Sequence, residues 1–272
     1  ATRLAVREAK RLTAPDAPLH LVGFSNGGAL SVKYALDAME NPKLAPPDRL
    51  ILLSPMIGIT RFARLTGIAG MPAALPRFAK AAWLSIVPEF NPFKYNSFPV
   101  NGGRQSFRLT QALQDQIVRM ANADGLKTLA PILTFQSVMD FTVSTRAIIA
   151  SLYAYLPANG SELVLFDVNR SVKFGPLLRR SAETALARTL PELPQPYRIT
   201  VVGNQRQNPT ATFARISDAG STTERVQDLG IRYPPEIFSM SHVSIPFPLN
   251  DPLYGLHPDT SQEDFGVQLG TL

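Results

Sequence analysis

Leu19-His20-Leu21-Val22-Gly23-Phe24-Ser25-Asn26-Gly27-Gly28 is the stretch whose reading decides the fold. An apolar run breaks into a Gly-x-Ser-x-Gly turn and then into a helical pattern that puts Leu30, Tyr34 and Ala35 on one face. A serine on a tight strand-to-helix turn is forced into a strained backbone conformation with its hydroxyl lifted above the sheet, and glycines two residues before and after it remove Cβ atoms that would clash there. By itself the motif fits any Gly/Ser turn. The strand before it and the helix after it make it a nucleophile elbow.

Upstream, Thr2 to Leu12 carries Leu4, Ala5 and Ala9 at helical spacing with arginines between them, and Ala14 to Pro18 is a Pro-rich turn. Downstream, the helix Gly27 to Met39 stops before Asn41-Pro42, and Asp48 to Pro55 is a second buried strand. Helix, strand, helix, strand is the order of a parallel α/β sheet flanked by helices. Between Met56 and about Leu126 the order breaks into Gly/Pro-rich and aromatic segments with one helix, about Gln105 to Met120; so long a connection reads as a lid, 57–126. The alternation resumes with strand Pro131 to Val138, helix Val143 to Leu156 and strand Leu163 to Phe166. A second excursion at about 169–235 holds a helix near Leu177 to Leu190, a strand Tyr197 to Val202 and a polar segment from Asn204 to Glu224. The expected organisation is a core of 1–56 and 127–272 interrupted by the lid and by that further insertion.

The 272 residues are 45% hydrophobic and 18% charged, which suits a globular fold with a sizeable core. No window holds 18 uninterrupted apolar residues, so no membrane-spanning helix is expected. The net charge of +6 comes from dispersed residues, with groupings at Arg3, Arg7, Lys10, Arg11 and at Arg179, Arg180. No basic stripe interleaved with aromatics accompanies them, so no nucleic-acid partner is expected, while attraction to anionic lipid headgroups stays open. Without cysteine, thiolate nucleophiles and thiolate metal sites are excluded, and three dispersed histidines offer no local metal-ligand cluster; no cofactor is called for. A dinucleotide-binding reading of Gly23 to Gly28 fails on spacing and on the missing acidic residue about 20 positions on.

An activated serine needs a base to take its proton and a carboxylate to hold that base in the right tautomer. Among the three histidines, His20 lies within the apolar strand and reads as a packed structural residue; His257 sits in a Gly-Leu-His-Pro turn; His242 follows the short strand Ile237 to Ser241 and is preferred. For the acid, Asp140 ends one strand and Asp167 the next, both at carboxyl ends where α/β sheets collect catalytic groups. Asp140 is preferred, as one strand before the histidine loop; Asp167 is the alternative.

The order Ser25, Asp140, His242, with Gly23-Phe24-Ser25-Asn26-Gly27-Gly28 and Asp140-Phe141-Thr142-Val143 as the matching motifs, resembles the α/β-hydrolase fold over the C-terminal two-thirds of such a domain. The lid placement is similar to the lysophospholipase and serine-aminopeptidase-like branch. The resemblance implies Ser25 as nucleophile, His242 as general base then acid, Asp140 as orienting acid and the Asn26 N–H as one oxyanion donor. It implies an acyl-enzyme route to cleavage of small-molecule or lipid esters, or a peptidase, acyltransferase or non-catalytic binding module on the same frame. The sequence departs from the family in two ways. Only 18 residues precede Leu19, so several strands and the second oxyanion donor are expected on a missing N-terminal segment or a companion chain. The interval from Asp140 to His242 is also much longer than the family's. The apolar lid residues Phe62, Leu65, Ile68, Met71, Trp83, Ile86, Phe90 and Phe93 favour an acyl chain over a charged peptide.

Overall fold

The computed structural model describes residues 1–58, 83–85, 98–138, 140, 143–168, 190–205, 208 and 210–232, and for 83–85 and 98 the backbone alone. The chain divides into two compact units, Ala1–Gly58 with Thr110–Ile245, and Ile59–Leu109 with Pro246–Leu272. Of the second unit, the described part holds a two-stranded antiparallel pair, Trp83–Ser85 (β3) with Phe98–Pro99 (β4). A helix Val100–Asn122 (α3) follows it, longer than the sequence pattern predicts at both ends.

The first unit is built on one sheet. Its strands are His20–Phe24 (β1), Arg49–Leu53 (β2), Ile132–Ser137 (β5), Glu162–Asp167 (β6), Arg198–Asn204 (β7), Ala211–Ser217 (β8) and Arg225–Arg232 (β9), in the order β1-β2-β5-β6-β7-β8-β9. The first five are parallel to one another; β8 runs against β7 and β9 against β8. The α/β class expected from the alternating pattern is therefore the class formed. Helices Thr2–Leu12 (α1) and Asn26–Glu40 (α2) precede and follow β1, and Thr145–Ser151 (α4) follows β5.

Strand side chains alternate between faces, and register makes each face continuous. Leu50 and Leu52, Ile132, Leu163 and Leu165, Ile199 and Val201 are all buried on one face. On the other, Val22 and Phe24 pair with Ile51 and Leu53, and these with Leu133 and Phe135. Phe135 stacks on Phe166 with ring centroids 6.3 Å apart. This second face is buried at β6 and opens toward β1, where Val22 is 65% and Phe24 46% exposed. Behind β1, Val6 of α1 packs with Leu19, Tyr34 and Ala38, so the amphipathic α1 is held by one buried side chain.

Two buried tyrosines close the middle of the sheet. Tyr153 meets Tyr197 edge to face at 4.7 Å, and its hydroxyl donates to the Glu162 carbonyl at 2.6 Å. Burial pushes the phenol pKa of both upward, that of Tyr197 to about 12.

The structure differs from the sequence reading in three places. His20 is the first residue of β1 and exposed, not packed within a strand. The segment Asn204 to Glu224, read as polar with no strand assigned to it, contains β8, and beside the expected strand that forms β7 the described part of 169–235 adds β8 and β9 to the main sheet. Its helix near Leu177 to Leu190 lies outside the described residues, as do most of the lid, the strand before His242, and both His242 and His257.

Candidate active site

Parallel strands bring their carboxyl ends to one edge, and the loops there carry the chemistry. β1 ends at Phe24 and α2 begins at Asn26, leaving one residue for the whole turn. Ser25 makes it with φ 51° and ψ −117°, a left-handed conformation that L side chains avoid. Such strain persists only where the surroundings over-determine it. Here the Ser25 N–H donates to the Leu53 carbonyl at 2.9 Å, and the Ser25 carbonyl accepts from Gly28 N–H at 3.0 Å and Met56 N–H at 2.9 Å. Ser25 occupies the N-cap of α2, yet its hydroxyl makes no capping hydrogen bond. The half-buried side chain is thus held in place without being used by the helix.

The glycines divide the work differently from the sequence expectation. A Cβ on Gly23 would sit 2.6 Å from the Gly27 carbonyl oxygen and 2.7 Å from Gly28 Cα, so α2 could not turn back over β1. A Cβ on Gly28 would meet Pro55 Cβ at 2.6 Å. Around Gly27 there is nothing within 4 Å. The tight glycine after the serine is the third residue on, not the second.

Asn26 is the first residue of α2, so its N–H has no acceptor within the helix. It lies beside Ser25 at the positive end of the helix dipole, as an oxyanion donor must.

Asp140 lies three residues beyond β5 at the same sheet edge, and is buried. Its Oδ1 accepts from the Val143 N–H at 2.9 Å and its Oδ2 from Gln136 Nε2 at 3.2 Å. Gln136 also donates to the carbonyls of Ser137 and Val143, and Thr145 Oγ1 donates to Ser137 at 3.0 Å. The loop between β5 and α4 is thereby folded around the carboxylate. Nothing in the sequence reading pointed to Gln136. A buried amide on a strand, four residues before an aspartate, is the signal that was there to use. Asp167 ends β6, one strand further from β1.

The structure thus places Ser25, Asn26, Asp140 and Asp167 along one edge, Ser25 and Asp140 separated by β2 alone. At the opposite end of β1, His20 is about 16 Å along the strand from Ser25, which removes it as a base. Among the described residues no group of three or more acidic or histidine side chains could hold a metal ion, and no helix is long and apolar enough to cross a membrane.

No family model and no curated protein matches the chain. Nine solved chains match it, among them three at low identity. The monoacylglycerol lipase of Paleococcus ferrophilus is 14% identical, with a TM-score of 0.39, over 67% of this chain and 74% of that one. Est1E from Butyrivibrio proteoclasticus, solved with ferulic acid, is 18% identical, with a TM-score of 0.39, over 68% and 65%. A soluble variant of the Saccharomyces cerevisiae monoglyceride lipase, solved with a substrate analog, is 14% identical, with a TM-score of 0.41, over 70% and 67%.

Proposed function

We propose that this protein is an α/β-hydrolase-like serine hydrolase that cleaves carboxylic esters. The observation that carries the reading is the strained Ser25 between β1 and α2, its hydroxyl spared from capping and its neighbour's N–H left without a helical acceptor. In this mechanism Ser25 Oγ attacks the ester carbonyl while His242 takes its proton. The Asn26 N–H stabilises the oxyanion, and such a donor typically contributes about 3 kcal/mol. The tetrahedral intermediate collapses to an acyl-enzyme as His242 returns the proton to the leaving alkoxide. Water, deprotonated by the same imidazole, then releases the acid and restores Ser25. Asp140, held by Gln136 and the Val143 N–H, orients the imidazole.

Strand spacing supports Asp140 over Asp167. Two steps of about 4.8 Å separate β5 from β1, roughly 10 Å, against roughly 14 Å for β6. The acid is not one strand before the histidine segment, as the sequence suggested: β6, β7, β8 and β9 intervene. Because β8 opposes both its neighbours, β9 runs parallel to β7, and the chain leaves it at the edge that carries Ser25. From β9 to β1 is about 29 Å. The 10 residues from Arg232 to His242 reach at most about 33–36 Å, enough for a nearly direct, extended path.

Val22 and Phe24 are exposed on β1, which pairs with β2 alone among the described strands. That edge fits further strands and a second oxyanion donor supplied by preceding sequence or a companion chain. The lid's apolar residues favour an acyl ester of the monoacylglycerol or lysophospholipid type over a peptide bond.

Hydrolysis of short p-nitrophenyl acyl esters tests the assignment. We expect turnover and fluorophosphonate labelling at Ser25, with Ser25→Ala and His242→Ala each lowering kcat at least a thousandfold. Unchanged turnover in either variant removes the assignment. Loss of labelling in wild type favours a non-catalytic binding module.

A further inference from the structure

α1 and the loop Asn41–Ala45 enclose a groove of about 450 Å3. Its apolar surface comes from Leu4, 58% exposed, and from the half-buried Leu44 and Ala45, laid over the buried Val6 and Tyr34. The Tyr34 hydroxyl donates to the Ala45 carbonyl at 3.0 Å, so it is already satisfied within the groove wall. The rim is cationic, with Arg3, Arg7, Lys10 and Lys43 and no acidic residue among the lining side chains. Asp37, the partner of the lining residue Arg3 at 2.8 Å, also pairs with Lys33. Glu8 of the same helix pairs with Arg11. Lys10 Nζ is held by the carbonyls of Pro15 and Ala17, which fix its ammonium without neutralising it. Arg7 and Lys43 are exposed and make no ion pair among the described residues. Tyr34 is nine residues from Ser25, about 13 Å along α2, so this is not the elbow's own cleft.

We propose that the groove binds a single-chain amphiphilic anion, a fatty carboxylate or monoalkyl phosphate, with its head between Arg7 and Lys43 and its chain over Leu4, Leu44 and Ala45. Neither half of the surface accounts for the other ligand classes. An inorganic anion leaves Leu4 and Leu44 wet, and a neutral acyl chain leaves a surplus of positive charge unanswered; an amphiphilic anion answers both. The site is independent of the hydrolase reading, and Ser25→Ala must bind as wild type does.

Calorimetric titration of the whole chain with hexanoate, octanoate and decanoate, all as monomers, tests the proposal. We expect one molecule per chain and affinity rising by up to about fourfold per added methylene, the equivalent of about 0.8 kcal/mol. The double variant Arg7→Gln/Lys43→Gln weakens decanoate at least tenfold with unchanged circular dichroism. Leu44→Gln, which keeps both cations, flattens the chain-length dependence. Vesicles of phosphatidylcholine with and without the single-chain anion lysophosphatidylglycerol separate the two sources. Capture by the anionic vesicles that decanoate competes away points to a bilayer lipid, and uptake of the monomer alone to a free amphiphile; either supports the site. Equal affinity for decyltrimethylammonium, equal affinity for inorganic and decyl phosphate, or decanoate binding that survives the double variant overturns it. So does vesicle association without uptake of monomer.

Discussion

The two margins of the main sheet use the chain in opposite ways. At the β1 margin, one strand is followed without a spare residue by a helix, and Gly23 and Gly28 let backbones pass where a methyl group would collide with main-chain atoms or Pro55. At the other margin, β8 and β9 form an antiparallel pair whose outer strand leaves Val226 70% and Ile231 58% exposed, and Gly230 lies in open space with φ 63°. Among the described residues three non-glycine residues have positive φ: Ser25 and Ser54 follow β1 and β2 at the edge where chemistry is proposed, Asp124 follows α3, and none lies in β9.

The contrast breaks most readily at Gly23. Gly23→Ala is expected to cost about 2–3 kcal/mol in chemical denaturation, because beside the Ser31 hydroxyl at 2.7 Å it meets the Gly27 carbonyl oxygen at 2.6 Å and Gly28 Cα at 2.7 Å, main-chain atoms that cannot swing aside. Gly27→Ala, with open space around it, gains a few tenths at a helix start. Similar losses in both would show that the elbow does not hold the close approach described. Ser25→Gly is expected to raise stability by about 1 kcal/mol by removing a side chain from a positive-φ position, while abolishing ester turnover; a fall in stability would mean that Ser25 is not strained. At the far margin, Val226→Thr is expected to change the unfolding free energy by less than about 0.5 kcal/mol. A larger loss would reveal a packing partner for β9.

What the sequence discloses follows the same division. The elbow is legible because its causes are local: an apolar strand, a serine between glycines and an amphipathic helix occupy 20 contiguous residues, His20 to Met39. Even so, the motif credits Gly27 with a role that packing against Pro55 assigns to Gly28, since Pro55 arrives from the end of another strand. β8 is hard to read because its buried positions are Thr212, Ala214, Ile216 and Ser217, three of them polar or small, and because pairing to β7 rather than hydrophobicity makes it a strand. His20 misleads for a related reason. It follows Leu19 in an apolar run, yet at the first position of a margin strand its side chain meets solvent. Gln136 escapes notice because its partner, Asp140, is reached only once the β5–α4 loop has folded back.

The double anchoring of the Ser25 carbonyl has a consequence for how any oxyanion would be received. The peptide unit linking Ser25 to Asn26 is planar, so its C=O and N–H point in opposite directions and move as one body. Gly28 and Met56 pin the oxygen from two sides, one from the helix and one from beyond β2, and the hydrogen at the other end is aimed by the same two bonds. In the proposed mechanism a substrate arriving there would find its donor already pointed, and the reorganisation that water would have to undergo for the same charge would have been completed when the chain folded.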